Sequence, residues 1–167
     1  MTPRKLEVES WRDAQLAVTG ELDTTLGGPP SDRILDQPRR TLYATISRNG
    51  DRFVSDEFLR LFDFPAPRSS SETRVSSTVP QQYLFLLNSE FTAARSKKLV
   101  RRLFDERGSD SERLERAYHL LYSRPPSSEE ARWGLEYLSG PPLEGPASRW
   151  ESYAQVLISA HEFIQVQ

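Results

Sequence analysis

Two histidines and a scattered set of carboxylates are the residues of this sequence that could do chemistry. His119 and His161 are the only histidines, and cysteine is absent, which excludes thiolate chemistry, disulfides and haem attached covalently by this chain. A zinc site needs imidazole and carboxylate ligands at defined spacing, and the two histidines form no His-x-x-x-His or similar pair. We therefore predict no metal and no cofactor, and we interpret both histidines as ordinary helix-surface residues.

Carboxylates offer a second kind of chemistry, because glycoside hydrolysis uses a pair of acidic side chains. The acidic residues that could form such a pair are Glu7, Glu9, Asp13, Asp63 and Glu90. Acidic residues on helix surfaces are usually solvated or ion-paired. The sequence also lacks the Gly-x-Ser-x-Gly turn of serine hydrolases and the Gly-x-x-x-x-Gly-Lys phosphate loop. A non-catalytic protein is therefore favoured, and catalysis stays open.

The charge balance argues against nucleic acid as a partner. Twenty-two basic residues against 24 acidic ones give a formal net charge of -2, so there is no global basic field. Basic residues between Arg95 and Arg102 cluster on one helix face, which we interpret as solvated, with binding of an anion or an acidic partner as the alternative. No apolar segment approaches the roughly 20 residues that cross a bilayer, and the N-terminus lacks the apolar core of a signal peptide. The oligomeric state stays undetermined.

The elements that must position these residues are predicted to be mainly helices. We expect residues 1–167 to form a single mainly α domain, a bundle of five or six helices with one short strand or hairpin near residues 41–54. The clearest helix signals are three capping boxes, in which a serine is followed three residues later by a glutamate. The three pairs are Ser109 with Glu112, Ser127 with Glu130, and Ser148 with Glu151.

Two other segments are predicted to be non-helical. Leu42, Ala44 and Ile46 alternate with Tyr43, Thr45 and Ser47, which is the period of a strand with one buried face. Residues 68–77 contain five serines and are predicted to form a mobile polar loop.

The densest apolar run of the chain extends from Thr78 to Phe91. Its centre is apolar on every side, which predicts a helix that is buried all round. Pro80 suits the first turn, where its missing N–H is harmless. We expect Thr78 and Asn88 to cap this helix, and Gln82 to bond the backbone or an ion-pair network.

Several short motifs follow one another along nearly the whole chain. Arg4 to Ala14 reads RKLEVESWRDA, Thr78 to Asn88 reads TVPQQYLFLLN, and Leu157 to Phe163 reads LISAHEF. Three further segments are Arg39 to Tyr43, Leu61 to Pro67, and Arg124 to Ser127 with Glu130. In order and spacing, these segments resemble the motifs of a planctomycete family, domain of unknown function 1553. The sequence departs from the family at Tyr83, where a small residue is usual, and at Ser159-Ala160-His161, where Asn-Ser-Asn is usual.

The resemblance implies a context but no active site. It implies that the chain is the C-terminal part of a larger family domain found in large exported bacterial proteins, which often carry a cytochrome-c-like domain. Such proteins are associated with the degradation of complex polysaccharides. The parent protein would then be periplasmic or extracellular, and its other domains, including a cytochrome-c-like domain, would be the partners. No catalytic residues are established for the family, so none is transferred to this sequence.

Polar residues within or beside the apolar segments form the candidate site. They are Glu9, Arg12, Asp13, Arg40, Asp63, Thr78, Gln82 and Asn88. We interpret them as a buried network of caps and ion pairs that fixes how the helices meet, with a ligand site as the alternative.

These residues support two hypotheses about function. The first is a non-catalytic structural or protein-interaction module of a larger exported multidomain protein. The second is a glycan-binding or glycan-processing domain, with Asp13 and Asp63 as its carboxylates and a tryptophan as its platform. The second hypothesis fails if both carboxylates are fully paired or point away from any cleft.

Overall fold

The computed structural model describes residues 4–49, 53–67, 74, 77–106, 108–143, 145 and 148–166. The fold is mainly α, as predicted, although it has more helices than the expected five or six. The helices are α1 (Val8–Val18), α2 (Val54–Leu61), α3 (Pro80–Asn88), α4 (Glu90–Asp105), α5 (Asp110–Tyr122), α6 (Ser128–Leu138), α7 (Arg149–Ser159) and α8 (His161–Ile164). Two strands, β1 (Arg4–Lys5) and β2 (Gln165–Val166), pair in an antiparallel ribbon. Short 3-10 turns occupy Ile34–Asp36 and Thr41–Tyr43.

Helices α5, α6 and α7 begin where the sequence predicted. In each helix the N-cap serine hydroxyl accepts the N–H of the third helical residue, and the glutamate at that position accepts the N–H of the serine. Each box satisfies two backbone donors that a helix N-terminus leaves free. The three capping boxes are therefore confirmed, and they depend only on residues close together in the sequence.

The hydrophobic core runs from the central pair of helices, α4 and α7, to the N-terminal helices. Leu99 and Leu103 of α4 and Ile158 of α7 are almost completely buried in it. At the other end, Trp11 of α1 stacks on Phe62, which follows α2, with ring centroids 4.8 Å apart. The core therefore joins the regular C-terminal helices to a less regular N-terminal region.

The predicted strand or hairpin near residues 41–54 is wrong for residues 41–49 and 53–54. Thr41–Tyr43 form a 3-10 turn instead, and Ala44 makes only an isolated parallel bridge with Ser31. The reason is a tertiary contact: Asp13 of α1 accepts hydrogen bonds from both the N–H and the hydroxyl of Thr41. These hydrogen bonds outweigh the local strand propensity of the segment, because β propensity depends strongly on context and is small by itself. Residues 50–52 lie outside the described residues.

The ribbon of β1 and β2 lies where the sequence carried no strand signal. Arg4 pairs with Val166, and Lys5 pairs with Gln165. Two-residue strands are too short to show an alternating pattern. The ribbon places the start of α1 beside α8, which matters for the cavity described below. The predicted mobile loop at 68–77 lies mainly outside the described residues. Of this segment, the structure describes only Arg74 and Ser77.

Helix α3 differs from its prediction at both ends and on its surface. It begins at Pro80 as expected, but Val79 occupies the N-cap position that we had assigned to Thr78. Asn88 is also not a cap: Ser89 ends α3 and caps α4, accepting the N–H of Thr92. Asn88 instead donates its side-chain N–H to the carbonyl of Leu84 at 3.0 Å.

The prediction that α3 is buried all round is wrong as well. Gln82 and Leu86 are buried, whereas Leu84 and Leu87 are 58% and 56% exposed. Residues 82 and 86 are one turn apart and share a face. Helices α4 and α7 both contact α3, and its opposite face is left uncovered.

Candidate functional site

Arg12 is completely buried on the inner face of α1 and forms the first of two polar clusters. Its Nη1 donates to the carbonyl of Arg39 at 2.8 Å and to the hydroxyl of Thr41 at 3.1 Å. Its Nη2 donates to the carbonyls of Ile34 and Gln37. The fork of a guanidinium suits this task, because it presents several N–H donors in a fixed plane. Arg12 thus satisfies carbonyls in a segment whose only regular structure is short 3-10 turns and isolated bridges.

Asp13, the next residue, completes this cluster. Its Oδ1 accepts the N–H of Thr41 at 2.7 Å and the hydroxyl of Thr41 at 2.6 Å. It also lies 3.5 Å from Nη1 of Arg12, and its Oδ2 lies 3.6 Å from Nε of Arg40. Burial lowers the pKa of the Arg12 guanidinium to about 10, although the neighbouring Asp13 opposes the shift. We call Arg12, Asp13, Arg40 and Thr41 the Arg12 centre.

Lys5 of β1 forms the second polar cluster. Its Nζ donates to Oδ2 of Asp63 at 3.2 Å, to the carbonyl of Ser77 at 2.7 Å and to Oε1 of Gln82 at 3.0 Å. These three bonds use all the donors that an ammonium group has. Nε2 of Gln82 donates in turn to the carbonyl of Leu61 at 2.9 Å, which confirms the prediction for Gln82. We call Lys5, Asp63, Ser77 and Gln82 the Lys5 centre.

Asp63 occupies a left-handed backbone position, with a φ of 67°, which aspartate tolerates better than most residues. Its carboxylate accepts the N–H of Ser77 at 2.9 Å and also the hydroxyl of Ser77. Burial by itself would raise the pKa of Asp63, but the hydrogen bonds from Ser77 and Lys5 outweigh it, so the pKa is lowered. A carboxylate held ionised by so many donors is a poor proton acceptor or acid at neutral pH.

Of the other predicted site residues, Arg40 joins the Arg12 centre only at its surface, and the remaining three lie outside both centres. Glu9 forms a two-pronged ion pair with Arg74, at 2.8 and 2.7 Å. Arg40 reaches Asp13 from the surface, with 46% of its side chain exposed. Thr78 is exposed ahead of α3, and Asn88 is exposed at its end. The eight predicted residues therefore do not form one site.

A cavity of about 520 Å³ lies against the Lys5 centre. Its apolar lining includes Trp11, Phe62 and Leu86, all of which are buried. Lys5 and Gln82 line it as well, so the polar cluster borders the cavity while its own hydrogen bonds are satisfied internally. Gln82 therefore has both of the roles that the sequence analysis had set against each other, as a network residue and as part of a pocket wall.

The rim of the cavity carries residues that sequence reasoning missed as site residues. Exposed Arg4 and His161 line it, together with the half-buried Tyr83. The hydroxyl of Tyr83 and Nε2 of His161 are hydrogen-bonded, which links α3 to α8. One signal in the sequence pointed here: Tyr83 and His161 both lie where the chain departs from the motifs it resembles. Nothing in the sequence indicated that the two side chains meet.

The lining of the cavity does not fit glycoside hydrolysis. No aspartate or glutamate lines this cavity in the described part of the chain, so it lacks the pair of carboxylates that glycoside hydrolysis uses. In the described ranges, no cluster of three or more His, Cys, Asp or Glu side chains could hold a metal ion. None of the described helices is long and apolar enough to cross a membrane.

Taken together, the described residues form a mainly α domain in which a buried polar cluster, a part-buried polar cluster and a polar-rimmed apolar cavity lie close to α1. A family model described as PSD1, protein of unknown function (DUF1553), matches residues 1–138. The chain therefore belongs to this family, as its motifs had suggested. The matched range contains both polar centres and ends before α7, so the resemblance of Leu157 to Phe163 lies outside it. No curated protein and no solved structure matches the chain.

Proposed function

We propose that this domain is a non-catalytic structural and protein-interaction module of a larger exported multidomain protein. The observation that supports the proposal is the pairing of the two carboxylates first considered for catalysis. Asp13 contacts Thr41, Arg12 and Arg40, and Asp63 is bonded by Ser77 and Lys5. Carboxylates engaged in this way hold segments of the chain together, and they are not free to exchange protons with a substrate.

An exposed apolar surface on α3 and α7 is our candidate for the interaction. Leu84 and Leu87 of α3 lie one turn apart, and Val156 of α7 is 61% exposed. The two helices are in contact, since Nε2 of Gln155 donates to the carbonyl of Leu87 at 2.7 Å. We call Leu84, Leu87 and Val156 the α3–α7 surface. Exposed apolar surface of this kind is typical of protein–protein contacts.

The proposed partner is another domain of the same parent protein, and the cytochrome-c-like domain is the first candidate. The exported location and the role in polysaccharide degradation are part of the proposal and derive from the family resemblance. A domain linked in the same chain is present at high effective concentration, so a modest apolar contact is enough to hold it.

Calorimetric titration of this chain with the remaining domains of the parent protein tests the proposal. We expect saturable binding that the double variant Leu84→Gln/Leu87→Gln abolishes. Leu26→Gln is the matched control, because Leu26 is 78% exposed in the loop after α1. Loss of binding in the control as well, or no binding by the unmodified chain, contradicts the proposal. Self-association detected by sedimentation would assign the surface to a second copy instead.

Glycan binding is the second candidate function, and one observation favours it. Trp133 is 56% exposed and Tyr137 is 36% exposed. The two residues are four positions apart on α6 and so share a face, whereas Trp11 and Trp150 are buried. Exposed aromatic rings can stack on sugar rings. Asp13 and Asp63 are the carboxylates of the original glycan hypothesis. Because both are paired, they have no role in the glycan-binding function considered now.

Affinity electrophoresis in gels containing neutral or sulfated polysaccharides distinguishes the two candidates. Retardation that disappears in Trp133→Ala and persists in Leu84→Gln/Leu87→Gln would favour the glycan-binding function. Unretarded migration in every gel would reject it.

A further inference from the structure

We infer that the cavity beside the Lys5 centre is a binding site for a small amphipathic organic anion, with a flat apolar body and a carboxylate or sulfonate head. The inference does not depend on the proposed interaction role, because Leu84 and Leu87 do not line this cavity. Two features support it: the size and wall of the cavity, and the charge of the rim.

The size and wall of the cavity fit an organic body. Sites for small molecules usually enclose about 300–1,000 Å³ and are lined mainly by apolar and aromatic side chains with a few polar groups. This cavity encloses about 520 Å³. Trp11 and Phe62 are stacked with ring planes 26° apart, and both are held by the core. They form a preformed flat surface, so binding a planar ligand would order few side chains.

The rim carries positive charge, and none of the carboxylates that pair with it lines the cavity. The charge of Lys5 is balanced by Asp63 at 3.2 Å. Arg4 is different, because its side chain is 83% exposed and its contact with Glu7 is long, at 3.9 Å. His161 and the hydroxyl of Thr78 lie on the same rim. Since no acidic residue of the described chain lines the cavity, the head group that fits this rim is an anion.

Fluorescence titration of the full chain with two matched probes tests the inference. Anilinonaphthalene sulfonate has an aromatic body and an anionic head, and phenylnaphthylamine has nearly the same body without the charge. We expect one molecule of the sulfonate to bind per chain, about tenfold more tightly than the neutral probe, as for one added charge-assisted hydrogen bond. Absence of saturable sulfonate binding to the folded chain would overturn the site.

Two variants locate the probe and test the role of the rim. Thr78→Trp places a large side chain on the rim and should abolish binding. Gln81→Trp is its control, because Gln81 is exposed three residues further on, in the first turn of α3, but does not line the cavity. Arg4→Gln should weaken binding of the sulfonate and leave that of the neutral probe unchanged. Binding to Thr78→Trp equal to that of Gln81→Trp overturns the location, and equal weakening of both probes by Arg4→Gln overturns the anionic head group.

A nuclear magnetic resonance experiment on the unmodified chain decides the location even if Thr78→Trp does not fold. The three indole N–H signals are assigned by replacing each tryptophan in turn with phenylalanine. Saturating anilinonaphthalene sulfonate should shift the signal of Trp11 and leave that of exposed Trp133 in place. A shift confined to Trp133 would place the probe on α6 and reject the cavity.

Discussion

The Arg12 centre and the Lys5 centre each place a cation inside the protein, but they differ in what surrounds it. The Arg12 side chain is 0% exposed, and its guanidinium donates to three carbonyls and one hydroxyl. The Lys5 side chain is 18% exposed, and its ammonium donates to three oxygens while bordering a cavity. The Lys5 ammonium and both terminal nitrogens of the Arg12 guanidinium are fully bonded, although the buried Nε of Arg12 has no partner among the described residues. The main difference between the two centres is therefore access to the space next to the cation.

This comparison separates a role in stability from a role in recognition. Arg12 supports a segment, residues 31–44, whose only regular structure is two short 3-10 turns and an isolated bridge. Because Arg12 is completely buried, a ligand cannot reach it without displacing that segment. The Lys5 centre links β1, the end of α2 and the start of α3 through hydrogen bonds. Lys5 and Gln82 also line an open cavity. Disrupting Arg12 should therefore cost stability alone, whereas changes near Lys5 should cost less stability and alter binding.

Replacing Arg12 with methionine should have the largest effect. Arg12→Met removes the guanidinium donors of the Arg39, Ile34 and Gln37 carbonyls, of which that of Ile34 keeps the N–H of Gln37 as a donor, and it removes one partner of Asp13. We therefore expect the free energy of unfolding to fall by about 3–5 kcal/mol. Urea denaturation measures this change. Arg60→Met, an exposed residue on α2, is the control and should change stability by less than about 0.5 kcal/mol. Equal effects of the two substitutions would show that the Arg12 centre has no special structural role.

Replacing Gln82 with methionine should have an intermediate effect. Gln82→Met keeps the length of the side chain but removes the bonds to the carbonyl of Leu61 and to Lys5. Water in the neighbouring cavity can replace part of these bonds, so we expect a loss of about 1–2 kcal/mol in urea denaturation. Gln81→Met is the control, because Gln81 is the adjacent residue and is exposed. A loss as large as that of Arg12→Met would remove the distinction between the closed and the open centre.

The effect of Asp63→Asn should depend on pH. Asparagine also tolerates the left-handed backbone, so the substitution removes mainly the charge, and we expect a loss of about 1 kcal/mol at neutral pH. The pKa of Asp63 in the folded protein lies below its ordinary value of 3.8. Its stabilising contribution is therefore complete above that pH and disappears as the pH falls through the lowered pKa. Denaturation of Asp63→Asn and of the exposed control Asp32→Asn should be compared at several pH values, and a difference that persists in strong acid would contradict this assignment.

Tyr83→Phe should have the smallest effect on stability. The hydrogen bond between Tyr83 and His161 lies at the rim, so its loss should change the free energy of unfolding by less than about 0.5 kcal/mol. Binding of anilinonaphthalene sulfonate should nevertheless change, because Tyr83 lines the cavity. Tyr43→Phe removes a comparable exposed bond, from the N–H of Gly27, and should leave probe binding unaltered. Identical probe binding by both variants would exclude Tyr83 from the site.

The C-terminal helices were predictable from the sequence because their signals are local. A serine hydroxyl and a glutamate three residues later can satisfy the start of a helix without help from the rest of the chain. All three capping boxes form as expected. The dual role of Gln82 was only half predictable: its type and apolar surroundings implied that it must be bonded, but not that it would also line a cavity.

The conformation of the segment predicted as a strand, and the surroundings of both cations, depend on tertiary contacts that local sequence patterns do not show. Asp13 accepts a hydrogen bond from Thr41, which lies 28 positions further along the chain. A contact between such distant residues produces no periodic pattern in the sequence. The Lys5 centre joins residues separated by 58 to 77 positions, and the cavity exists only because the ribbon of β1 and β2 brings α8 beside α1. Local patterns thus determined where α5, α6 and α7 begin. The packing of the helices, which depends on contacts distant in the sequence, determined which faces stayed open and where a ligand could bind.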